Sequence, residues 1–334
     1  PYKVILAYYD ENGNYISSKI QEGLSTNAEK VSFTIVDEEY PENVAKVKGF
    51  IWKDFDTLIP LADVADSEAK TSLKILSIGN SYSQDAQSYL YQIAKNAGFE
   101  TIEISNAYIG GCTLATHLSN SQSGARKYTF ETKVGHGDGS VTTSRVSEST
   151  LLECLKANDW DIITLQQQSY NSSDPTTFDA LEGLIEFVQE NKTNPHAKLA
   201  WHMTWGYAES YAEKHSDFKK VFGGDTQKMY EAIVNTVKDK ILTNDDIAFV
   251  IPSGTAIQNA RLLGLDNSQL SADGTHLNEI GDYVAGLTWF AKFTGMSIDD
   301  ITFTPSEEPV IAENLAAIKT AVKNAIANPY SVTK

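Results

Sequence analysis

The sequence has little cysteine. Cys112 and Cys154 are the only two cysteines among 334 residues, and they form neither a C-x-x-C motif nor a zinc-binding spacing. Because free cysteine is among the most often buried residue types, we predict two buried thiols, with a disulfide bond between them as the alternative.

Positive charge and long apolar runs are also scarce. The chain carries 27 Lys and Arg against 44 Asp and Glu, a net charge of −17, with the acidic residues spread along its length. Nucleic acids and anionic membranes require a basic surface, so this charge excludes both as partners and leaves neutral substrates open. No run approaches the roughly 18 apolar residues of a membrane-spanning helix.

Residues 1–65 have the pattern of a small antiparallel β-domain. Three short runs are apolar or alternate in polarity and are predicted strands: 4–9, 31–36 and 45–52. Polar residues 10–14 predict a hairpin turn after the first of them. Helical spacing is scarce, so we expect a small β-sandwich, which resembles accessory domains of extracellular bacterial proteins. A linker at 66–73 is expected to join it to a second domain at 74–330.

From residue 74 onward, strands and helices are predicted to alternate. Five short apolar runs are the predicted strands: 74–78, 101–104, 161–165, 198–204 and 247–251. Apolar positions at helical spacing lie between them, the first series running from Ala86 to a stop at Gly98. Five β-α units predict a three-layer α/β/α domain with a five-stranded parallel sheet. The polar stretch 119–146 is an insertion, expected as a hairpin over the edge of the sheet.

Ser81 lies two or three residues past the first strand of this domain, just before a helix. Its hydroxyl is therefore expected at the carboxyl edge of the sheet, where oriented backbone N–H groups favour a nucleophile. The alternative interpretation is that Asn80, Ser81 or Ser83 only caps the helix.

Two further segments follow predicted strands. Gly110-Gly111 comes after the second strand, where paired glycines either bring an N–H close to a ligand or form a plain turn. Gln166, Gln167 and Gln168 end the third strand, where β-branched residues are more usual. One of these amides could donate to a developing oxyanion, and otherwise the run is only a polar strand end.

Asp273 and His276 follow the fifth strand, near the start of the predicted last long helix. A carboxylate three residues before an imidazole can fix the tautomer of the ring and stabilise its protonated form. The alternative is a helix cap by Asp273 with an incidental histidine. All four segments lie at predicted carboxyl ends of strands, so we expect them at one edge of the sheet.

This series of segments resembles the SGNH (GDSL-like) hydrolase superfamily, whose four blocks supply a nucleophile, two oxyanion donors and an Asp/His pair. The phrases GNSYS, LQQQS, WHMTW, IPSGTAIQNAR and DGTHLNEIGDY are similar to one bacterial branch of that superfamily, over about residues 73–330. The resemblance implies a flavodoxin-like strand order and a serine hydrolase that needs no cofactor.

The resemblance also implies a role for each motif residue. Ser81 would attack an ester carbonyl, His276 would accept its proton, and Asp273 would orient the ring. The backbone N–H groups of Ser81 and Gly111 would bind the oxyanion together with one side-chain amide.

That amide is where the chain departs from the pattern. Most of the superfamily uses an Asn in a Gly-x-Asn-Asp block, whereas this chain offers three glutamines and no glycine. Gln167 is our prediction, with Gln166 and Gln168 as alternatives.

Aromatic residues trail the fourth strand. Trp201, His202, Trp205 and Tyr207 are predicted to wall the substrate pocket, since aromatic faces suit a sugar ring or an apolar group. Core packing of one or both tryptophans is the alternative.

These features predict a secreted or cell-surface bacterial serine esterase that removes small acyl groups, with acetyl preferred, from carbohydrate. A lipase or thioesterase is one alternative, although a long acyl chain needs an apolar trough and the 119–146 insertion is polar. A catalytically inactive glycan-binding module is the other, because the change from Asn to Gln could displace an oxyanion donor.

Overall fold

The computed structural model describes residues 2–24, 44–53, 65–68, 72–136, 138–265 and 267–333. The chain divides into two compact units, residues 1–71 and 72–334. The expected linker at 66–73 overlaps a strand on each side of this division, because residues 65–68 and 72–79 are both β-strands.

The first unit contains an antiparallel sheet. Its strands are β1 (Tyr2–Tyr9), β2 (Tyr15–Leu24), β3 (Lys46–Trp52) and β4 (Ala65–Glu68), paired in the order β2-β1-β3-β4. The predicted hairpin turn is confirmed: the Asp10 carboxylate accepts the backbone N–H groups of Asn12 and Asn14. A sandwich needs a second sheet, and the described residues of this unit form one sheet only. The strand predicted at 31–36 lies outside the described residues.

The second unit is built on a mixed seven-stranded sheet. Its strands are β5 (Ser72–Gly79), β6 (Thr101–Tyr108), β7 (Tyr128–Gly135), β8 (Val141–Ser149), β9 (Ile162–Leu165), β10 (Lys198–His202) and β11 (Ile247–Ile251). The order across the sheet is β11-β10-β9-β5-β6-β7-β8. The strands from β11 to β6 are parallel, match the five predicted strands and have the expected flavodoxin-like order.

The hairpin of β7 and β8 corrects the prediction of a five-stranded sheet. It is the polar insertion, and it pairs antiparallel with β6, so it extends the sheet instead of covering its edge. The side chains of β8 from Val141 to Glu148 are exposed on both faces. No apolar alternation was therefore available in the sequence to mark this segment as a strand.

The α-helices among the described residues all belong to the second unit. They are α1 (Ser81–Gln87), α2 (Leu90–Asn96), α3 (Leu114–Ser123), α4 (Leu151–Lys156), α5 (Leu181–Asn191), α6 (Ser216–Phe222), α7 (Thr226–Lys240), α8 (Ser253–Leu262), α9 (Asn267–Leu270), α10 (Glu279–Thr294) and α11 (Pro309–Ala327). The helix predicted over 86–98 is divided at Ser88, whose hydroxyl bonds to the Gln84 carbonyl. No helix in the described part of the chain is long and apolar enough to cross a membrane.

Eight of the helices fall into two packed groups. Helices α1, α2, α8, α10 and α11 pack on one another, and α3, α4 and α5 form the other group. Right-handed crossovers between parallel strands place these groups on opposite faces of the sheet. The loops that follow the parallel strands consequently all lie at one edge.

The two cysteines are buried and unbridged, as predicted. Burial raises the pKa of the Cys112 thiol and of the Cys154 thiol to about 12. Both residues therefore serve as small apolar side chains of the core.

The close approach of α8 to the end of β10 generates a stability prediction. A Cβ at Gly254 would lie 2.1 Å from the Thr204 carbonyl oxygen, which is backbone and cannot move aside. We expect Gly254→Ala to lower the free energy of unfolding by about 2 kcal/mol or more, measured by urea denaturation.

Gly183→Ala, in α5, is the matched control. Its Cβ would meet only the flexible end of Leu118 at 3.2 Å, and alanine favours the helix by up to ~1 kcal/mol. Equal destabilisation by the two substitutions would contradict this account of α8 packing.

Candidate active site

Segments that follow four of the parallel strands meet the loop between α9 and α10 in one pocket of about 270 Å³. Its walls consist of Asn80, Ser81, Tyr82, Gly111, Gln168, Ser169, Tyr207, Tyr211, His215, Thr275 and His276. The expectation that the motif segments share one edge of the sheet therefore agrees with this lining. Within the described ranges, no group of three His, Cys, Asp or Glu side chains could hold a metal ion.

Ser81, His276 and Asp273 form a continuous line of hydrogen bonds. Ser81 Oγ lies 2.9 Å from His276 Nε2, and His276 Nδ1 lies 2.8 Å from Asp273 Oδ2. The other carboxylate oxygen of Asp273 accepts the backbone N–H groups of Thr275 and His276 and the Thr275 hydroxyl, each at 2.8 Å. A short turn thus brings the carboxylate and the imidazole into register with a serine almost 200 residues earlier.

The ionisation of Asp273 determines which nitrogen of His276 carries the proton. Burial raises the pKa of this carboxyl, but hydrogen bonds from the His276 ring and from the Thr275 and His276 backbone outweigh burial and hold the pKa well below its ordinary value. An ionised carboxylate can only accept, so His276 donates Nδ1–H to it. His276 Nε2 is then free to accept the Ser81 hydroxyl proton, as general base catalysis requires.

The loop that carries His276, residues 271–277, is fixed from several sides. We call it the histidine loop. Trp205 Nε1 donates to the Thr275 carbonyl at 2.7 Å, and the Ala208 N–H donates to the Gly274 carbonyl at 2.8 Å. Tyr82 stacks on Trp205 at 4.2 Å and meets the His276 ring edge-on at 5.9 Å. The histidine loop precedes α10, which is followed by α11, so α10 is not the last long helix as predicted.

Asn80, and not Ser81, caps helix α1. Its Oδ1 accepts the Tyr82 N–H at 3.0 Å and a hydrogen bond from Gln166 Nε2 at 2.7 Å, while its Nδ2 donates to the Cys112 carbonyl. The capping alternative for Ser81 therefore does not apply, and its hydroxyl is available to His276.

Two residues on the pocket wall are the predicted sources of backbone oxyanion donors. Ser81 and Gly111 both line it, and neither N–H has a hydrogen-bond partner among the described residues. Gly111 has a φ of +60°, and space is open where a Cβ would lie. This left-handed turn is the conformation that the paired glycines permit.

Gln168 is the glutamine on the pocket wall. Gln167 is buried and fully engaged elsewhere: its Oε1 accepts the Leu114 N–H at 3.0 Å and its Nε2 donates to the Thr177 carbonyl at 2.8 Å. Gln166 is also buried, between Asn80 and His202. Gln167, the predicted oxyanion donor, therefore lies outside the pocket lining, whereas its alternative Gln168 lines the pocket and uses one amide hydrogen to donate to Ser169 Oγ at 3.0 Å.

Of the four predicted wall residues, only Tyr207 lines the pocket. Trp201 packs against Phe178 in the core, and Trp205 donates its ring N–H to the Thr275 carbonyl of the histidine loop. His202 is buried between Gln166 and Ser253, and burial lowers its pKa to about 3. These three side chains are covered because helices pack on both faces of the sheet.

The aromatic part of the wall comes from a segment that the sequence analysis missed. Tyr211 and His215 follow Tyr207 at intervals of four residues, which was the available signal. The Tyr207 ring centroid lies 5.1 Å from that of Tyr211 and 5.4 Å from that of His215. Tyr170 stacks on His215, with the two ring centroids 4.8 Å apart. Ser169 Oγ bonds to the Tyr207 hydroxyl at 2.7 Å.

Two half-buried carboxyl groups lie behind the histidine loop. Asp85, on α1, accepts the Leu277 N–H at 3.0 Å, and Asp282, on α10, has a buried Oδ1 without a hydrogen-bond partner. Burial, with a smaller contribution from the nearby Asp85, raises the pKa of Asp282 to about 8, although a hydrogen bond from Ser88 opposes the rise. Burial also raises the pKa of Asp85 to about 6.

Comparison with known proteins places the second unit in one family. A family described as "Domain of unknown function (DUF4886)" matches residues 74–325. The crystal structure of a DUF4886 family protein from Bacteroides uniformis ATCC 8492 is 35% identical, with a TM-score of 0.70 over 78% of this chain and 97% of that chain. No curated protein matches the chain.

Two solved esterases show much weaker likenesses. One is a family 3 carbohydrate esterase from Clostridium thermocellum, 14% identical with a TM-score of 0.37 over 66% of this chain and 94% of that chain. The other is a catalytic mutant of Axe2, an acetylxylan esterase from Geobacillus stearothermophilus, 13% identical with a TM-score of 0.38 over 70% and 95%. Likenesses of this strength carry no argument about the function of this chain.

The raised pKa of Asp282 generates a prediction about stability and pH. Its ordinary value is 3.8, so between about pH 4 and pH 8 the folded protein holds a proton that the unfolded chain has released. Stability should therefore fall as pH rises through that window. We expect Asp282→Asn to raise the free energy of unfolding by about 2 kcal/mol at pH 8 and by little near pH 4.

Thermal or urea unfolding at both pH values measures this effect. Asp300→Asn, which changes an exposed carboxyl, is the matched control and should alter stability little at either pH. A gain for Asp282→Asn that is the same at pH 4 and pH 8 would contradict the assignment.

Proposed function

This chain belongs to the DUF4886 family, and we propose that it is a serine esterase of the SGNH type that removes small acyl groups, acetyl above all, from carbohydrate. One observation carries the proposal: Ser81, His276 and Asp273 form an unbroken hydrogen-bonded line beside two backbone N–H groups without protein partners. A nucleophile, an oriented base and oxyanion donors at one point are the requirements of acyl transfer.

Acylation follows from this geometry. Ser81 Oγ attacks the ester carbonyl carbon while its proton passes to His276 Nε2, and Asp273 stabilises the imidazolium that forms. The negative charge that develops on the carbonyl oxygen is met by the N–H groups of Ser81 and Gly111 and by the side-chain amide of Gln168. The intermediate collapses as the C–O bond to the alcohol breaks and His276 protonates the leaving oxygen, which leaves an acyl group on Ser81.

Deacylation repeats these steps with water. His276 Nε2 removes a proton from water, the resulting hydroxide attacks the acyl carbonyl, and the proton is returned to Ser81 Oγ as the acid leaves. The same donors bind the second oxyanion, so no further group is required.

The pocket favours a small and neutral ester. Its volume of about 270 Å³ is slightly below the usual range for drug-sized ligands. Its lining contains hydroxyl, amide and aromatic groups and neither Lys nor Arg, so it offers no ion pair to an anionic substrate. The half-buried Tyr211 ring suits the apolar face of a sugar, whereas a long acyl chain would need an apolar trough. The extracellular location expected from the sequence stays a prediction.

Replacing the nucleophile tests the proposal. We expect Ser81→Ala to lower acetate release from acetylated polysaccharides, and hydrolysis of p-nitrophenyl acetate, by roughly 1,000-fold or more, because no other group forms the acyl-enzyme. Ser123→Ala, at an exposed serine of α3, is the matched control and should retain full activity. Activity of Ser81→Ala near that of the wild type would exclude Ser81 as nucleophile.

The same assay separates the alternatives. The wild-type protein should cleave acetyl esters faster than octanoyl esters, and the reverse order would indicate a lipase or thioesterase. Glycan binding without turnover of any acyl ester would indicate an inactive binding module.

The reassigned glutamine generates a separate prediction. We expect Gln168→Ala to lower kcat by roughly 100-fold with little change in KM, because an oxyanion donor acts in the transition state. Gln167→Ala should instead lower the unfolding temperature, since it leaves the Leu114 N–H without its acceptor. An unchanged kcat for Gln168→Ala would mean that the backbone N–H groups alone hold the oxyanion.

A further inference from the structure

We propose that Asp85 is a positioning residue that ties the nucleophile helix to the histidine loop, and that its negative charge maintains His276 as the general base. This inference rests on the proposed function. It adds to the triad a second carboxylate, which acts through His276 and touches no reacting atom.

Asp85 connects helix α1 to the histidine loop. Asp85 lies on α1, one helical turn after Ser81, so the two side chains share a rigid element. Its Oδ2 accepts the backbone N–H of Leu277, the residue next to His276, at 3.0 Å. One carboxylate therefore joins the element that carries the nucleophile to the loop that carries the base, although 195 positions separate Ser81 from His276.

The groups around Asp85 decide its charge. His276 and Asp273 face it from the histidine loop and Asp282 from α10, with Glu279 acting on Asp282. Burial raises the pKa of Asp85 to about 6, although the Leu277 N–H and the His276 ring both lower it. The pKa of Asp282 is higher, about 8. Near neutral pH the pair therefore holds one proton, on Asp282, and one negative charge, on Asp85.

The negative charge of Asp85 has two effects at the site. A hydrogen bond to an ionised acceptor is about twice as strong as one to a neutral acceptor, so the carboxylate fixes the Leu277 backbone more firmly than a carboxylic acid would. It also attracts the imidazolium that forms when Ser81 is deprotonated. Both effects are present above about pH 6 and are lost as Asp85 takes up a proton below that pH.

Asp85→Asn tests the role of the charge, because the amide keeps the shape and retains an oxygen that can accept the Leu277 N–H. Between pH 7 and 7.5 we expect kcat/KM to fall roughly fivefold. Below about pH 5.5 the wild-type and variant profiles should converge, because wild-type Asp85 is then protonated and neutral as well. Asp282→Asn is the matched control: its profile should follow the wild type from pH 5 to 7.5, where Asp282 is already neutral.

A loss for Asp85→Asn that is the same at every pH would mean a purely structural role, and no loss at any pH would mean no role. Either result would overturn the proposal. The unfolding temperature of Asp85→Asn at pH 7.5, measured alongside, should not fall, because the substitution removes a half-buried charge.

A second measurement does not depend on turnover. Carbon-13 NMR of the Asp85 carboxyl, assigned by its absence in Asp85→Asn, should give a titration midpoint near pH 6 in the wild type. In His276→Asn the titration midpoint of Asp85 should rise, because the His276 ring that lowers the Asp85 pKa is then absent. The same coupling is the one by which Asp85 favours the imidazolium, since linkage between two groups is reciprocal. An unchanged midpoint would refute the coupling even if no ester is cleaved, whereas the Ser81→Ala assay decides the esterase proposal separately.

Discussion

The four hydrogen bonds that the Asp273 carboxylate accepts are the interaction on which the site depends. Three of them fold residues 273–276 into a tight turn, and the fourth fixes the tautomer of the His276 ring. Gly274 makes this turn possible, because its φ of +100° lies in the region that side chains avoid and a Cβ there would lie 2.8 Å from the Cβ of Tyr211. The geometry of the turn and the ionisation of Asp273 thus have one cause, since the hydrogen bonds that shape the turn also keep the carboxylate charged.

The rest of the domain holds the turn at 273–276 next to Ser81. Parallel strands deliver their loops to one edge of the sheet, which brings Ser81 and His276 together from distant parts of the chain. The histidine loop is then held by Trp205, Ala208 and Asp85. On the nucleophile side, Asn80 sets the start of α1. Positions near reacting atoms need support of this kind, because a shift of about 1 Å can cost much of the rate.

Much of the fold and part of the site were predictable from the sequence. The five parallel strands were evident because buried strands are short, apolar and flanked by helical spacing, and their order followed from the resemblance. The β7–β8 hairpin was not predicted as part of the sheet because the exposed, polar side chains of β8 carry no apolar period. Apolar spacing alone also does not show that the helix is divided between Gln87 and Leu90 into α1 and α2.

The sequence by itself supplied the triad candidates, because their motifs are local and together resemble those of a known superfamily. Only the tertiary structure decided which glutamine and which aromatic residues reach the pocket. Past Leu165 the strand ends and side chains no longer alternate, so the direction of Gln168 depends on how its loop packs. Trp201, His202 and Trp205 are buried away from the pocket, whereas the buried Tyr207 and the half-buried Tyr211 and His215 line it. Position in the sequence indicates where a strand ends, but packing on both faces of the sheet determines which side chains reach the pocket.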